Sequence, residues 1–345
     1  MRRPRVAVIV ITHNGKHHLR ECFESLRKQT FKDFQAYLLD NASTDGSADY
    51  VKENFPWVRV IGFEKNYGFA GGYNKAIKIV DAEYVALLND DVKVDSKWLE
   101  ELVKVLENDK YTFAVGSKIL FYDKPDTLNH AGAMLTIIGA GLDIGFGEKD
   151  GPKYNKKKYV GAVCGAAMLV RCEIFKELGG FDEDYFAYFE DVDLCWRALL
   201  RGYRVVYVPT SIVYHKYGGS WGNRESLYRI YYGERNRLMN IIKNFEPINV
   251  VKGLLISLCF SIMRILTFLL RQENRKAIAI IKAYADFIKK VPKVLEKRRK
   301  IQCSRVISDK VLYRLKLIAS LQDSIREYNR LRMMSSLLSK RSYLK

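Results

Sequence analysis

Four short apolar runs, at residues 6–11, 34–39, 58–63 and 84–88, limit what this chain can fold into. Each is too short for a buried helix and rich in Val, Ile, Leu, Tyr or Phe, so each reads as a strand. Between them the apolar spacing turns helical, as with Leu19, Cys22, Phe23 and Leu26 inside 17–28, then again over 45–55 and 69–80. Strand–helix alternation of this kind predicts an α/β fold with a mostly parallel sheet and helices on both faces. It is the arrangement of a nucleotide-binding half-domain, although neither a G-x-G-x-x-G nor a Walker A phosphate loop is present.

Carboxylates follow two of these runs. The second ends at Asp40, within Asp40-Asn41-Ala42-Ser43-Thr44-Asp45-Gly46-Ser47. Asp40 would accept from a base N–H there, although Asn, Asp, Ser and Gly also favour turns and helix caps for local reasons. The fourth run ends in Asn89-Asp90-Asp91, so both acids project from the carboxyl edge of the sheet, where open α/β sheets bind ligands. Such acids are hard oxygen ligands suited to Mg2+ or Mn2+. Asp91 reads as a metal ligand; Asp90 serves equally as a cap for a helix beginning near Asp95.

The segment 179–197 places Asp182, Glu183, Asp184, Glu190, Asp191 and Asp193 among aromatic rings. Clustered carboxylates resist burial unless they bind cations or move protons. Aromatic walls raise a carboxyl pKa toward neutrality, which suits a general base. Three further segments carry weaker signals. Asn66 to Asn74 is glycine-rich and opens a helix, a setting that favours phosphate. The stretch 131–147 reads as a hairpin or mobile loop. His215 precedes Gly218 and Gly219, in a pattern that suits a diphosphate or metal contact as well as a structural histidine.

Charge divides the chain. Residues 246–345 hold 23 Lys/Arg against 7 Asp/Glu, leaving 35 against 32 in the first 245 residues. The expected organisation is therefore a catalytic domain over 1–245 and a basic helical region over 246–345. Within the latter, 253–270 is apolar apart from Arg264 and is about as long as a membrane span. Ser257, Ser261, Arg264 and Arg271 recur on one helical face, which suits a helix lying at an anionic membrane surface or packed on a partner, and a central arginine disfavours a span. Six cysteines with no C-x-x-C pair argue against zinc and for reduced core thiols. No secretory signal is read at the start, where the apolar run is too short.

Taken together, the motifs Val8 to Asn14, Asp40 to Ser47, Asn66 to Asn74, Leu87 to Val92, Gly179 to Arg197 and His215 to Ser220 resemble those of family 2 glycosyltransferases of the GT-A fold, especially rhamnosyltransferase-like members. The resemblance covers about residues 5–240. It implies an inverting transferase that uses a nucleotide-diphosphate sugar. Thr12, Asn14, Asp40, Asn66, Asn74, Asn89 and Asp90 would line the nucleotide-sugar site. Asp91 matches the last acid of a D-x-D-like metal motif whose first position here is Asn89, and His215 would complete the Mg2+ or Mn2+ or diphosphate site. Asp191 matches the catalytic base, with Glu190 orienting the acceptor or sharing the proton.

The expected acceptor is a glycan or lipid-linked glycan at the cytoplasmic face of the cell membrane, in surface-polysaccharide synthesis. A polyprenyl-phosphate glycosyltransferase, an inactive nucleotide-sugar-binding scaffold and a nucleic-acid-binding protein with a basic tail are the alternatives. The apolar content of 253–270 argues against nucleic acid. Homo-oligomerisation is left open.

Overall fold

The computed structural model describes residues 3–216, 226–326 and 330. The first half contains β1 (Val6–Thr12), α1 (Lys16–Arg27), β2 (Phe34–Asp40), α2 (Ser47–Asn54), β3 (Arg59–Gly62), α3 (Gly68–Ile79), β4 (Tyr84–Asn89), β5 (Val92–Val94), α4 (Trp98–Asn108), β6 (Thr112–Phe121) and β7 (Lys124–His130). There follow β8 (Ala133–Leu135), β9 (Gly141–Asp143), β10 (Lys158–Tyr159), β11 (Ala167–Arg171), α5 (Cys172–Glu177), α6 (Glu190–Leu200) and β12 (Arg204–His215). Four helices close the described chain: α7 (Leu227–Asn244), α8 (Pro247–Leu270), α9 (Asn274–Cys303) and α10 (Asp309–Arg314).

The main sheet runs β10-β12-β6-β11-β4-β1-β2-β3. Its β4-β1-β2-β3 half is parallel, as the alternating sequence predicts. Beyond β4 the sheet is mixed, because β11 enters antiparallel between β4 and β6 while β6 and β12 run parallel. Strand direction leaves no trace in an apolar run buried on both faces, so periodicity could not reveal this. β12 is long for a strand and carries the chain as far as His215. Its register shifts between Val208 and Ile212, around Pro209, and that irregularity interrupts the apolar pattern.

Alternation along β1 divides the core. Val6, Val8 and Val10 pack with Leu19, Cys22, Phe23 and Leu26 of α1 and with Trp98, Leu99 and Leu102 of α4. Ala7 and Ile9 face Ala70, Tyr73 and Ile77 of α3, in a larger cluster that takes in α6. That larger cluster also contains Phe287 and Val294 of α9, Leu312 of α10, and Leu317 and Ile318. The 246–319 stretch is thus built into the interior of the first 245 residues. Backbone bonds secure it: Leu135 N–H donates to Leu317 O at 2.8 Å, and Ala319 N–H to Leu135 O at 2.8 Å. The 131–147 stretch forms the β8–β9 hairpin. All six cysteines are free thiols, as read, but Cys259 and Cys303 are exposed rather than in the core.

Candidate active site

β1 has β2 on one side and β4 on the other, so the chain reverses its direction of travel across the sheet between β1 and β4. A crevice opens outside the carboxyl ends of strands at such a point. Thr12 ends β1, and Asn89, Asp90 and Asp91 follow from β4. The Thr12 hydroxyl donates to Asp90 Oδ2 at 2.5 Å, and both residues are buried. The pair fits only because residue 15 is glycine, since a Cβ there would lie 1.9 Å from Asp90 Oδ2. The helix near Asp95 is served instead by Asp95 itself, whose Oδ1 accepts from Lys97 N–H at 3.0 Å.

Asp91 is 3 % exposed. β5 pairs antiparallel with the end of β12, aligning His215 with Val92. This brings His215 Nε2 to 3.2 Å from Asp91 Oδ1. The contact is close but is not aligned as a hydrogen bond, and Asp91 Oδ1 has no hydrogen-bond partner. On the far side of the ring, His215 Nδ1 lies 3.2 Å from Asn129 Oδ1. Burial works to raise the Asp91 carboxyl, but the neighbouring His215, with help from His18, holds it below its ordinary value. Adjacent ligands of an octahedral ion bound at 2.0–2.1 Å stand about 3 Å apart, so the Asp91–His215 pair fits two positions of one Mg2+ or Mn2+. No group of three or more His, Cys, Asp or Glu converges on a metal position among the described residues. The remaining ligands would therefore come from substrate and water, as Mg2+ ordinarily requires. Gly218 and Gly219 lie outside the described residues.

Glu190 and Asp191 open α6. Gly165 N–H donates to Asp191 Oδ2 at 2.9 Å and Val192 N–H to Asp191 Oδ1 at 2.8 Å. One residue along the same turn, Ala166 O accepts from Asn89 N–H at 3.0 Å. The 164–166 turn therefore joins the two acidic motifs at one crevice. Burial pushes Asp191 above the ordinary carboxylate range, against the pull of the Gly165 and Val192 N–H groups. Burial and then the adjacent Asp191 charge push Glu190 well above that range, and Glu190 Oε2 has no hydrogen-bond partner. Phe186, Tyr188 and Phe189 precede these acids with φ of 63°, 71° and 66°. Bulky residues rarely adopt such backbone, and this strain persists only where surrounding structure enforces it.

Enforcement comes from side chains that the sequence alone did not single out. Asn236 of α7 donates through Nδ2 to the carbonyls of Tyr185, Ala187 and Tyr188 at 3.0, 2.8 and 2.7 Å. Arg235 donates to the carbonyls of Asp184 and Tyr185. From α3, Phe69 N–H donates to Phe186 O at 2.7 Å, so this helix N-terminus holds the loop in place of the expected phosphate. Asn74 brackets Phe181 through both its backbone groups, at 2.8 and 2.9 Å.

The acidic cluster separates by partner. Asp182 meets Lys243 at 2.6 Å and also Lys297; Asp184 meets Lys293 at 2.9 Å and Lys297 at 2.5 Å; Asp193 meets Arg197 and Lys243, both at 2.8 Å. Burial would raise Asp182 and Asp184, yet these lysines hold Asp182 far below its usual value and Asp184 near about 2. Among the acids singled out there, Glu190 and Asp191 alone are shifted upward.

Other predicted positions serve the neighbouring loops. Asp40 Oδ1 accepts from Ser43 N–H at 2.9 Å. Asn14 Oδ1 accepts from Thr44 N–H at 2.7 Å. Asn66 Oδ1 accepts from Asn41 Nδ2 at 3.0 Å and from Gly68 N–H at 2.8 Å. Asp40, Asn14 and Asn66 thus rim the β1–β2 side of the crevice while bracing it. His130, at the end of β7, is 4 % exposed and was not anticipated. Its Nδ1 lies 3.0 Å from Asp143 Oδ1, its Nε2 has no hydrogen-bond partner, and it lies near enough to Asp191 to act on it electrostatically.

An α/β sheet with an acid–histidine pair and two buried, upward-shifted carboxyls at its switch point is the setting of a nucleotide-sugar transferase. Residues 7–179, half of the chain, match the family model described as glycosyl transferase family 2, and the chain belongs to that family. It is 29 % identical over 242 residues to N-acetylglucosaminyl-diphospho-decaprenol L-rhamnosyltransferase of Mycobacterium tuberculosis, covering 62 % of this chain and 77 % of that protein. It is 28 % identical over 238 residues to an uncharacterized protein, y4gI, of Sinorhizobium fredii, where the match spans 65 % of this chain but only 26 % of the relative. The fold matches mannosyltransferase PcManGT from Pyrobaculum calidifontis, solved with GDP-Man and Mn2+, at a TM-score of 0.53 and 18 % identity over 88 % of this chain and 86 % of that one. It also matches GalNAc-T7, solved with UDP, GalNAc and Mn2+, at a TM-score of 0.57 and 16 % identity over 70 % of this chain and 48 % of that one.

Proposed function

We propose that this protein is an inverting, metal-dependent transferase that moves a sugar from a nucleotide-diphosphate donor to a hydroxyl of a lipid-linked glycan. Its setting is cell-surface polysaccharide synthesis at the inner face of the cell membrane, with the protein held peripherally. Rhamnose is the first sugar to test, because the mycobacterial relative is named for it. The observation that carries the reading is the convergence of Asp91–His215 and Asp191 through the 164–166 turn.

Asp91 and His215 would hold the divalent ion, which when bound neutralises charge on the leaving diphosphate. Thr12 and Asp90 fix the floor beneath the nucleotide, and Asp40, Asn14 and Asn66 shape its rim. Asp191, raised in basicity, accepts the proton of the acceptor hydroxyl as that oxygen attacks the anomeric carbon from the face opposite the diphosphate. The Gly165 and Val192 N–H groups aim the carboxylate. Glu190, kept neutral by burial and by its charged neighbour, adds a hydrogen-bonding group without adding charge. A positioned base contributes about 10²–10⁴-fold to rate. Transfer assays and calorimetry with UDP-, dTDP- and GDP-sugars test the assignment. Asp191→Asn should lose transfer by about 10²-fold or more while still binding the donor. Asp91→Asn should lose the Mn2+-dependent part of donor binding. Undiminished turnover by Asp191→Asn would refute the role of the base.

A further inference from the structure

α8 is amphipathic, but its faces are reversed from those of an ordinary surface helix. Gly253, Ser257, Ser261 and Phe268 are buried, whereas Val251, Leu255, Leu258, Ile262, Leu266 and Leu269 are 45–60 % exposed. Of the polar face read from the sequence, Ser257, Ser261 and Arg264 turn toward the protein, while Arg271 stays exposed. Arg237 of α7 donates to Ser257 Oγ at 2.8 Å and Ser261 Oγ at 2.7 Å, and Arg264 of α8 pairs with buried Glu234 of α7. The arginine that interrupts the apolar stretch is thus an internal anchor. A helix tied down along this face lies against the protein.

These exposed residues recur at steps of three and four from Val251 to Leu269, forming a continuous stripe about 27 Å long. α9 extends it with Ile278, Ile281 and Ile288, which are 48, 56 and 65 % exposed. Cations border the stripe: Lys252, Arg271, Arg275, Lys282 and Lys289 are all exposed, and Glu296 is the one exposed carboxylate on α8 and α9. Other cations of α9 are engaged within the protein, since Lys290 and Lys297 hold Asp184 and Arg298 donates to Phe245 O.

We infer that the outer faces of α8 and α9 form a docking surface for an anionic lipid bilayer, with α8 lying flat at the headgroup–acyl boundary. Apolar residues enter that boundary while bordering cations meet lipid phosphates, which is how interfacial helices bind. A second copy of the chain fits less well, because a two-fold contact would set the same cations against one another. This deepens the transferase reading and rests on it in one respect. α8 packs on α7, and α7 holds the backbone of 185–188 beside Asp191. The membrane face and the catalytic loop are separated by one helix, about 10–12 Å across, within reach of a lipid-linked acceptor.

Vesicle flotation of the full chain tests this, using phosphatidylcholine vesicles with and without phosphatidylglycerol. The wild type should float with the anionic vesicles, less so at high salt. The variant Leu255→Ser/Leu258→Ser/Ile262→Ser/Leu266→Ser should lose binding by roughly tenfold or more. Lys282→Glu/Lys289→Glu should weaken it on anionic vesicles only. Both variants should keep their melting transition and its rise with Mn2+ plus UDP, dTDP or GDP. Equal flotation of wild type and the serine variant would overturn the assignment. So would a wild type that ignores vesicles but dimerises in analytical ultracentrifugation through the same residues. Flotation without any stabilisation by nucleotide and Mn2+ would leave the docking surface standing and remove the transferase reading.

Discussion

Glu190 and Asp191 are neighbours in the chain, yet packing gives them different chemistry. Asp191 receives two backbone N–H groups, which temper the effect of burial, whereas Glu190 Oε2 receives none. The first therefore ionises more readily, and its charge disfavours ionisation of the second. The pH dependence follows in sign. A base acts only when ionised, so transfer should fall as pH drops through the raised Asp191 value, placing the acid limb of the rate profile above the ordinary carboxylate value of about 4. Stability runs the other way. A carboxyl raised in the folded state favours its protonated form there, so ionisation as pH rises through the folded value weakens the fold. Glu190→Gln should then be as stable as wild type at pH 7 or more so, and should keep part of the activity that Asp191→Asn loses. Melting curves between pH 5 and 8, beside initial rates, check both. A Glu190→Gln protein that melts well below wild type at pH 7 would show that the ionised carboxylate supports the fold.

Among the elements, α7 has the largest part in shaping the site and was the least visible in the sequence. Lys243, 1 % exposed, lies between Asp182 and Asp193, so its removal leaves two buried carboxylates short of a partner. Breaking a buried pair from one side costs about 3–5 kcal/mol, and Lys243→Met should destabilise the protein by that order in denaturant titrations. Acid unfolding should follow these pairs. Carboxyls depressed in the folded state contribute stability fully present above about pH 4, and this is lost as pH falls through their folded values, toward about 2 for Asp184. Lys297→Met should move the acid midpoint upward, as followed by circular dichroism. The same pairs show what the sequence could reveal. β1, β2, β4 and the acids at the switch point were legible because each depends on a local pattern: an apolar run followed by a carboxylate. The division of the 182–193 acids was not legible, because apart from Arg197 the cations that hold Asp182, Asp184 and Asp193 are lysines of α7 and α9, some 50 to 115 residues away. Nor was His130, which lacks a motif and meets Asp143 of β9 only in the folded chain.

For the whole molecule, the charge boundary near residue 246 suggests a removable tail, but the packing argues otherwise. α7 ends at Asn244, and its last carbonyls are orphans that any helix must satisfy. Here α9 and the turn after it supply the donors. Gln302 donates to Lys243 O at 2.9 Å, Arg298 donates to Phe245 O at 2.6 Å, and Arg305 reaches Asn244 O at 2.5 Å. Val294, Leu312, Leu317 and Ile318 complete the large core cluster. A chain ending at Glu246 would lose these caps, that core and the Lys297 contacts to Asp182 and Asp184 at once. The loop that leads into Glu190 and Asp191 depends on Asn236 and Lys243 of α7, so the damage should reach the proposed catalytic centre although every proposed ligand and base remains in the sequence. Such a truncated protein should lose near-ultraviolet circular dichroism, become cleavable within 182–189 in limited proteolysis, and show no stabilisation by nucleotide and Mn2+. If it instead unfolds cooperatively and binds nucleotide as the full chain does, then the tail is an appendage, and the coupling drawn here between membrane face and catalytic loop fails with it.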